Sequence, residues 1–387
     1  MNFKTVVRPL ILVGLATASV AAVSVTGAKA QPKVTKADLF AGNPNYNEPK
    51  ERAKEGQGLL DNPPLGWRTL FFVGDKLVTT TGPEVWCTDM SAAKPVLKRL
   101  AGQEVRDNLE SLKPGPAAQA RFANLSGLAL LPDGSLVSAD TTGNTVFKVK
   151  DPFGPNATVE FLAGTIQAVD GVDPTHPPNA GDVDGPGNKA RFSGPQWPAV
   201  IGNDIYVLDE IEQGKVKVKK VAGGAAHPVS TIAQLPEGVY YGMIALNGKL
   251  YAIGNNTKSE GFVEEIDPAT KATRDVIRGR PDAFESDGAI KVSGLTTDGK
   301  GLFITSSGQL LYLTLDGKVT SLAGTGDWFD YRGGYDPTKT QKPNKVQLVT
   351  QPRTATAGSD VFLGFKNNTV YMSAKNLTPY IEKLSLQ

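Results

Sequence analysis

Six times along this chain a short apolar run ends in Ala-Gly or a near match. The marks are Leu39-Phe40-Ala41-Gly42, Arg99-Leu100-Ala101-Gly102, Phe161-Leu162-Ala163-Gly164, Thr231-Ile232-Ala233-Gln234, Val276-Ile277-Arg278-Gly279 and Ser321-Leu322-Ala323-Gly324. A recurrence every roughly 45 to 70 residues marks a repeat architecture, in which each unit buries its apolar face only against its neighbours. After each mark come a polar, Gly-rich stretch and then two β-type runs around a turn. These pairs fall at 69–81 around Gly74-Asp75, 127–140 around Asp133-Gly134, 199–209 around Asn203-Asp204, 243–254 around Asn247-Gly248, 294–306 around Asp298-Gly299, and 354–374 around a longer Asn-rich link. Asp-Gly and Asn-Gly are hairpin signals because both turn positions accept positive φ.

A third run follows each pair, at 84–87, 145–149, 215–220, 261–266, 310–315 and 380–386. The run carrying the Ala-Gly mark makes a fourth. Four antiparallel strands per unit form a propeller blade, so the spacing predicts an all-β chain folded as a six-bladed β-propeller. The last unit has no run after its third, whereas the first mark, at 34–42, stands before any complete blade. A strand there is expected to complete the last blade and remove its open edge. Residues 43–64 read differently, with a short charged helix expected at 48–55 as a cap.

The first thirty residues carry Lys4 and Arg8 ahead of an apolar stretch and end in Ala28-Lys29-Ala30, the pattern of an export signal cleaved before Gln31. The expected location is periplasmic or secreted, as a monomer with no membrane anchor once the signal is gone. Cys87 is the only cysteine, so no intramolecular disulfide is possible, and its place in a strand makes it a small buried hydrophobe. Without Lys4, Arg8 and Lys29 the chain has 38 basic against 39 acidic residues. A balanced surface with no long basic run gives no footprint for nucleic acid.

Phe161-Leu162-Ala163-Gly164-Thr165, followed by Gly181-Asp182-Val183-Asp184-Gly185-Pro186 and Ala190-Arg191-Phe192-Ser193-Gly194-Pro195, resembles the NHL-repeat propellers. Ala120-Arg121-Phe122-Ala123-Asn124, running on through Pro132-Asp133-Gly134 to Asp140, is similar to a second copy. The resemblance implies a propeller and leaves function open, since such folds serve as binding platforms, sensors and, less often, enzymes. Blades four and five lack the Ala-Arg-Phe element. Arg121 and Arg191 each precede Phe, which predicts a ring wedged between blades with guanidinium donors meeting nearby carbonyls.

The second strand of each blade ends at an equivalent place, giving Thr81, Asp140, Asp209, Gly254, Ser306 and Ala374. With Glu210, Asn255 and Asn256 just beyond, this rim is the candidate binding site. Long inserts at 166–189 and 325–345 share that face, and variable loops on a rigid scaffold are where binding usually resides. Trp328, Phe329, Tyr331 and Tyr335 in the second insert are the aromatic candidates, because large rings bury wide area with few rotatable bonds. His176 and His227 are too few for zinc or a nucleophile relay and each precedes Pro in a loop.

Two readings follow. One is a non-catalytic exported propeller binding a protein, peptide or glycan through its loop-rich face, with no cofactor. The other is similar to the six-bladed calcium-dependent lactonases, in which acidic and amide side chains at the channel mouth hold calcium that polarises a carbonyl. The ring offers only two carboxylates, Asp140 and Asp209, which favours the first.

Overall fold

A computed structural model describes residues 31–42, 55–59, 68–103, 112–165, 179–258, 260–279, 292–306, 309–324, 361–374 and 380–387. Within the unit Pro32–Gln387, strands pair into six separate antiparallel sheets, built from consecutive strands except that the first strand joins the last sheet and a two-residue strand joins the second. Blade one comprises Phe71–Val73, Lys76–Thr80, Val85–Asp89 and Leu97–Ala101. Blade two comprises Leu125–Leu130, Leu136–Asp140, Thr145–Lys150 and Thr158–Ala163, with the two-residue strand Gly115–Pro116 added at its outer edge. Blade three runs through Pro195–Ile201, Asp204–Glu212, Lys215–Val221 and Val229–Gln234. Blade four runs through Gly238–Leu246, Lys249–Asn256, Gly261–Ile266 and Thr273–Arg278. Blade five has Val292–Thr297, Leu302–Ser306, Gln309–Leu313 and Val319–Ala323. Blade six has Val361–Lys366, Thr369–Ala374 and Tyr380–Leu386, and its outer strand is Val34–Gly42.

That last pairing is the expected closure. Val34 stands opposite Leu386 and Gly42 opposite Tyr380, and Lys33 and Gln387 exchange backbone hydrogen bonds of 3.2 and 2.9 Å. An early strand and the last strand therefore share one blade, and the outer side of Tyr380–Leu386 is paired.

The apolar residues confirm the ring. Among the described residues the buried side chains form six clusters, each filling the space between two neighbouring blades. Phe122, stacked on Phe147 at 4.2 Å between centroids, joins blade two to Val85, Cys87 and Leu100 of blade one. Phe192 joins Val137 and Val146 of blade two to Val207 and Val221 of blade three. The cluster holding Ala41, Leu70, Leu77, Phe362 and Ile381 closes the circle between blades six and one. Each buried Leu or Phe contributes about 1.5–3 kcal/mol relative to exposure. Cys87 is buried within the first of these clusters.

The links show why glycine ends the marks. Gly102 and Gly164 have φ of 93° and 103°, and a Cβ there would stand 2.2 Å from the Pro83 carbonyl and 2.4 Å from that of Asn144. Only glycine makes so abrupt an exit against the next link.

Two expectations need correction. The hairpin turn of blade three is Gly202-Asn203, one residue before Asn203-Asp204, because Gly202 supplies the positive φ of 61° while Asp204 already belongs to the strand. The inner strands of blades two to five also begin two to five residues earlier than the alternation suggested. Each carries a register shift, at Ser126/Ala129, Gln196/Ala199, Tyr240/Gly242 and Val292/Gly294, and a bulge interrupts the period of two. The helix expected at 48–55 falls almost wholly outside the described residues. Residues just after it lie along the outer strand of blade one, where Leu59 N donates to Pro95 O and Leu97 N to Gln57 O.

Candidate functional site

The register places the predicted rim residues at one end of the blades. Asp140 stands opposite Leu125, Asp209 opposite Pro195, Ser306 opposite Val292 and Ala374 opposite Val361, each partner being the first residue of an inner strand, whereas in blade four that place belongs to Asn256, opposite Gly238, and not to the expected Gly254, which lies opposite Tyr240. What these side chains do there is specific. Asp140 is buried and accepts hydrogen bonds from the amides of Ala123 (2.6 Å), Asn124 (2.9 Å) and Gly143 (2.7 Å). Asp209 is buried too and accepts from Ser193 (2.8 Å) and Gly194 (3.0 Å). Both carboxylates thus hold the residues after the Ala-Arg-Phe element against the end of the second strand. Burial pushes both carboxyls above the usual carboxylate range, and the bonds they accept pull the other way.

Blade three adds a cation. The Lys219 side chain is wholly buried, with Nζ 2.8 Å from Asp182, 3.4 Å from Asp209, 3.1 Å from the Arg191 carbonyl and 5.4 Å from the centre of the Phe192 ring. One carbonyl near that element, that of Arg191, is met by this lysine. The Phe half of the expectation holds, since both rings wedge between blades.

The neighbouring candidates close turns and links. Glu210 accepts from Gly214 N at 3.1 Å. Asn255 holds the first residue of the next blade from both sides, donating to Val292 O at 3.2 Å and accepting from Val292 N at 3.0 Å. Asn256 accepts from Lys258 N and Glu260 N, each at 2.9 Å, and donates to Glu260 Oε2 at 2.8 Å. Trp328, Phe329, Tyr331 and Tyr335 lie outside the described residues, as does His176. His227 sits in a loop at φ 42° with Nδ1 3.3 Å from Ala222 O. Among the described residues no three His, Cys, Asp or Glu side chains converge as a metal site requires.

The sequence reading missed the axis of the ring. The six inner strands line an open pocket of about 380 Å³, with residues that include Phe71, Leu128, Ala199, Met243, Leu295 and Phe362, one from each blade. Its described lining holds no Asp, Glu or His. Trp197 enters it from the bulge of blade three at φ 52°, and its ring lies 6.4 Å from that of Phe362 on blade six, the opposite blade of the ring. The turn is possible because residue 127 is glycine: a Cβ there would lie 2.7 Å from Pro198 Cδ and 3.1 Å from Trp197 Cα. At the same lining, Arg68 donates through Nη1 to Asn124 Oδ1. The one signal available in the sequence is Gln196-Trp197-Pro198, which breaks the strand's alternation.

Comparison with known proteins places the fold. An auxiliary nutrient binding protein from Bacteroides ovatus superposes with a TM-score of 0.58 at 11% identity, over 91% of this chain and 76% of that one. A protein of unknown function from Bacteroides thetaiotaomicron gives 0.51 at 13% identity, over 92% and 77%. A gluconolactonase from Xanthomonas campestris gives 0.47 at 13% identity, over 92% and 95%. No protein-family model matches the chain, and no curated protein matches its sequence. At these identities the likeness is one of fold, a six-bladed propeller.

Proposed function

We propose that this chain is an exported, non-catalytic propeller that binds a protein, peptide or glycan through the loops of its end face, working as a monomer outside the cytoplasm. In this reading blades two and three are NHL-type repeats, and the aromatic loop with Trp328, Phe329, Tyr331 and Tyr335 supplies the anchoring contacts. One observation carries it. The two carboxylates at the rim, Asp140 and Asp209, are engaged by main-chain amides and Lys219. A cation recruiting them would strip those amides of partners, and each unpaired buried N–H costs about 1–3 kcal/mol. Metal binding at the rim would therefore oppose the fold that builds it.

The test is calorimetric titration of the purified protein with calcium, alongside its Asp140→Ala and Asp209→Ala variants. The expected result is no stoichiometric uptake, with both variants less stable. Uptake tighter than roughly micromolar that disappears in both variants would replace this reading with the lactonase-like one. For the binding face, Trp328→Ala with Tyr331→Ala should leave the melting temperature unchanged while abolishing capture of the partner from an envelope extract. A large drop in melting temperature would instead make those rings part of the core.

A further inference from the structure

The pocket on the propeller axis is largely apolar, and part of that surface is open to a ligand: Phe71, Trp197, Ile244, Leu295 and Phe365 are only partly buried. Among the described lining residues Arg68 alone carries a charge, and it too is only partly buried. Its place is fixed from two sides. Arg68 N donates to Thr80 O at 3.0 Å, at the end of the second strand of blade one, and Nη1 donates to Asn124 Oδ1 beside the first residue of blade two.

Chemistry narrows what such a wall takes. A guanidinium stays charged at physiological pH and only donates, so a group that adds to its partners must be an acceptor, best an anion. Arginine has five N–H donors, and a carboxylate can join the bond to Asn124 instead of displacing it. The described wall has one cation and no Asp or Glu, so it complements one negative charge and opposes a second positive one. A phosphate monoester brings close to two negative charges, whereas a carboxylate brings one. The apolar remainder favours a body of carbon and hydrogen, and about 380 Å³ lies at the small end of ligand pockets.

We propose that the axial pocket binds a small amphipathic carboxylate, an apolar chain or ring with one acid group. The anion meets the Arg68 guanidinium beside Asn124, and the apolar body lies along the inner strands against Trp197 and Leu295. All six blades share the wall, so closure of the ring assembles the site. Its residues belong to the inner strands and their starts, so binding here holds or fails independently of binding at the end-face loops.

The experiment is equilibrium dialysis of the full-length protein against decanoate, 1-decanol and decyltrimethylammonium, which share an apolar chain of similar length and differ in charge. Decanoate is expected to bind saturably and about tenfold or more tightly than decanol, the ratio one charge-assisted hydrogen bond supplies, with the ammonium weakest. Arg68→Gln, which keeps a polar side chain and removes the charge, should bring decanoate and decanol close to equal while decanol itself changes little. Arg68→Lys, which keeps the charge without the planar fork, should retain part of the preference and separates loss of charge from loss of folding. In the wild-type protein, equal affinity for decanoate and decanol, no saturable uptake of decanoate, or an ammonium bound as tightly as the anion would overturn the proposal, and so would a preference undiminished in Arg68→Gln.

Discussion

Blades three and four are neighbours of the same four-stranded design, yet each buries charge of the opposite sign on its third strand. In blade three that strand carries Lys219, whose partners Asp182 and Asp184 come from the link leading into the blade and Asp209 from the second strand. In blade four the third strand carries Glu264 and Glu265, both buried, and their cations are Arg274 and Arg278 of the outer strand and Lys249 of the second. The difference follows the links. A long entry link, with its Ala-Arg-Phe element, is stapled to blade three by a central cation. Blade four has no such link, and its ion pairs fasten the exposed outer strand to the strand beneath it.

The same comparison explains the electrostatics. Burial alone would raise Glu265, but bonds from Arg274, Lys249 and Tyr251 outweigh it and hold its carboxyl at about 2. Burial, together with a hydrogen bond shared with Asp275, pushes Glu264 up to about 7 against the pull of Arg278. One carboxylate is fully paired; its neighbour competes for a cation that Asp275 also holds.

The sharpest way to break the comparison is to empty the wedge of blade three. Phe192→Ala removes a wholly buried ring between two blades and should cost about 3–5 kcal/mol, read as a lower denaturant midpoint. A loss below about 1 kcal/mol would mean that the link is held by its polar bonds alone.

Next is the polar staple itself. Asp209→Ala leaves the Ser193 and Gly194 amides without their acceptor and Lys219 with one carboxylate fewer, and should cost about 2–4 kcal/mol. Asn255→Ala, which removes the two-point hold on Val292 in blade four, should cost less, about 1–2 kcal/mol. Equal losses would erase the distinction between a charged and a neutral tie.

The last effect is in pH. A carboxyl raised in the folded state binds its proton more tightly there than in the unfolded chain, so the folded state loses stability as pH rises. For Glu264 that window runs from the ordinary 4.5 to about 7. Asp140 and Asp209, raised by burial, act in the same direction. Denaturation midpoints measured across this window should decline, and Glu264→Gln should flatten the decline. A variant that tracks the wild type throughout would remove Glu264 from the account.

Much of the strand order could be read directly because its signals are local. Asn247 and Gly248, at φ 53° and 76°, need only their own backbones to form a hairpin; the last blade, where a longer Asn-rich link was expected, also turns on two residues, Asn367-Asn368 at 49° and 51°. The bulges were not readable, because a run such as Gln196-Trp197-Pro198 looks like the end of a loop until the strand beside it fixes the register. The rim shows the same division. That Asp140 and Asp209 stand toward the ends of their second strands follows from the repeat, but the amides that engage them belong, Gly143 apart, to residues 15 to 17 positions earlier, brought back by the fold of the blade.

By itself the sequence determined the number of blades, the four strands in each and the strand that closes the ring, because turn residues and apolar period act over a few neighbours and simply repeat. Tertiary structure alone decided that Lys219 is buried among carboxylates, that the rim acids are consumed by backbone, and that Trp197 meets Phe362 across the axis. Those contacts join residues whose separation along the chain carries no periodic signal, and they exist only once six blades, each packed on its neighbours, have closed around a common centre.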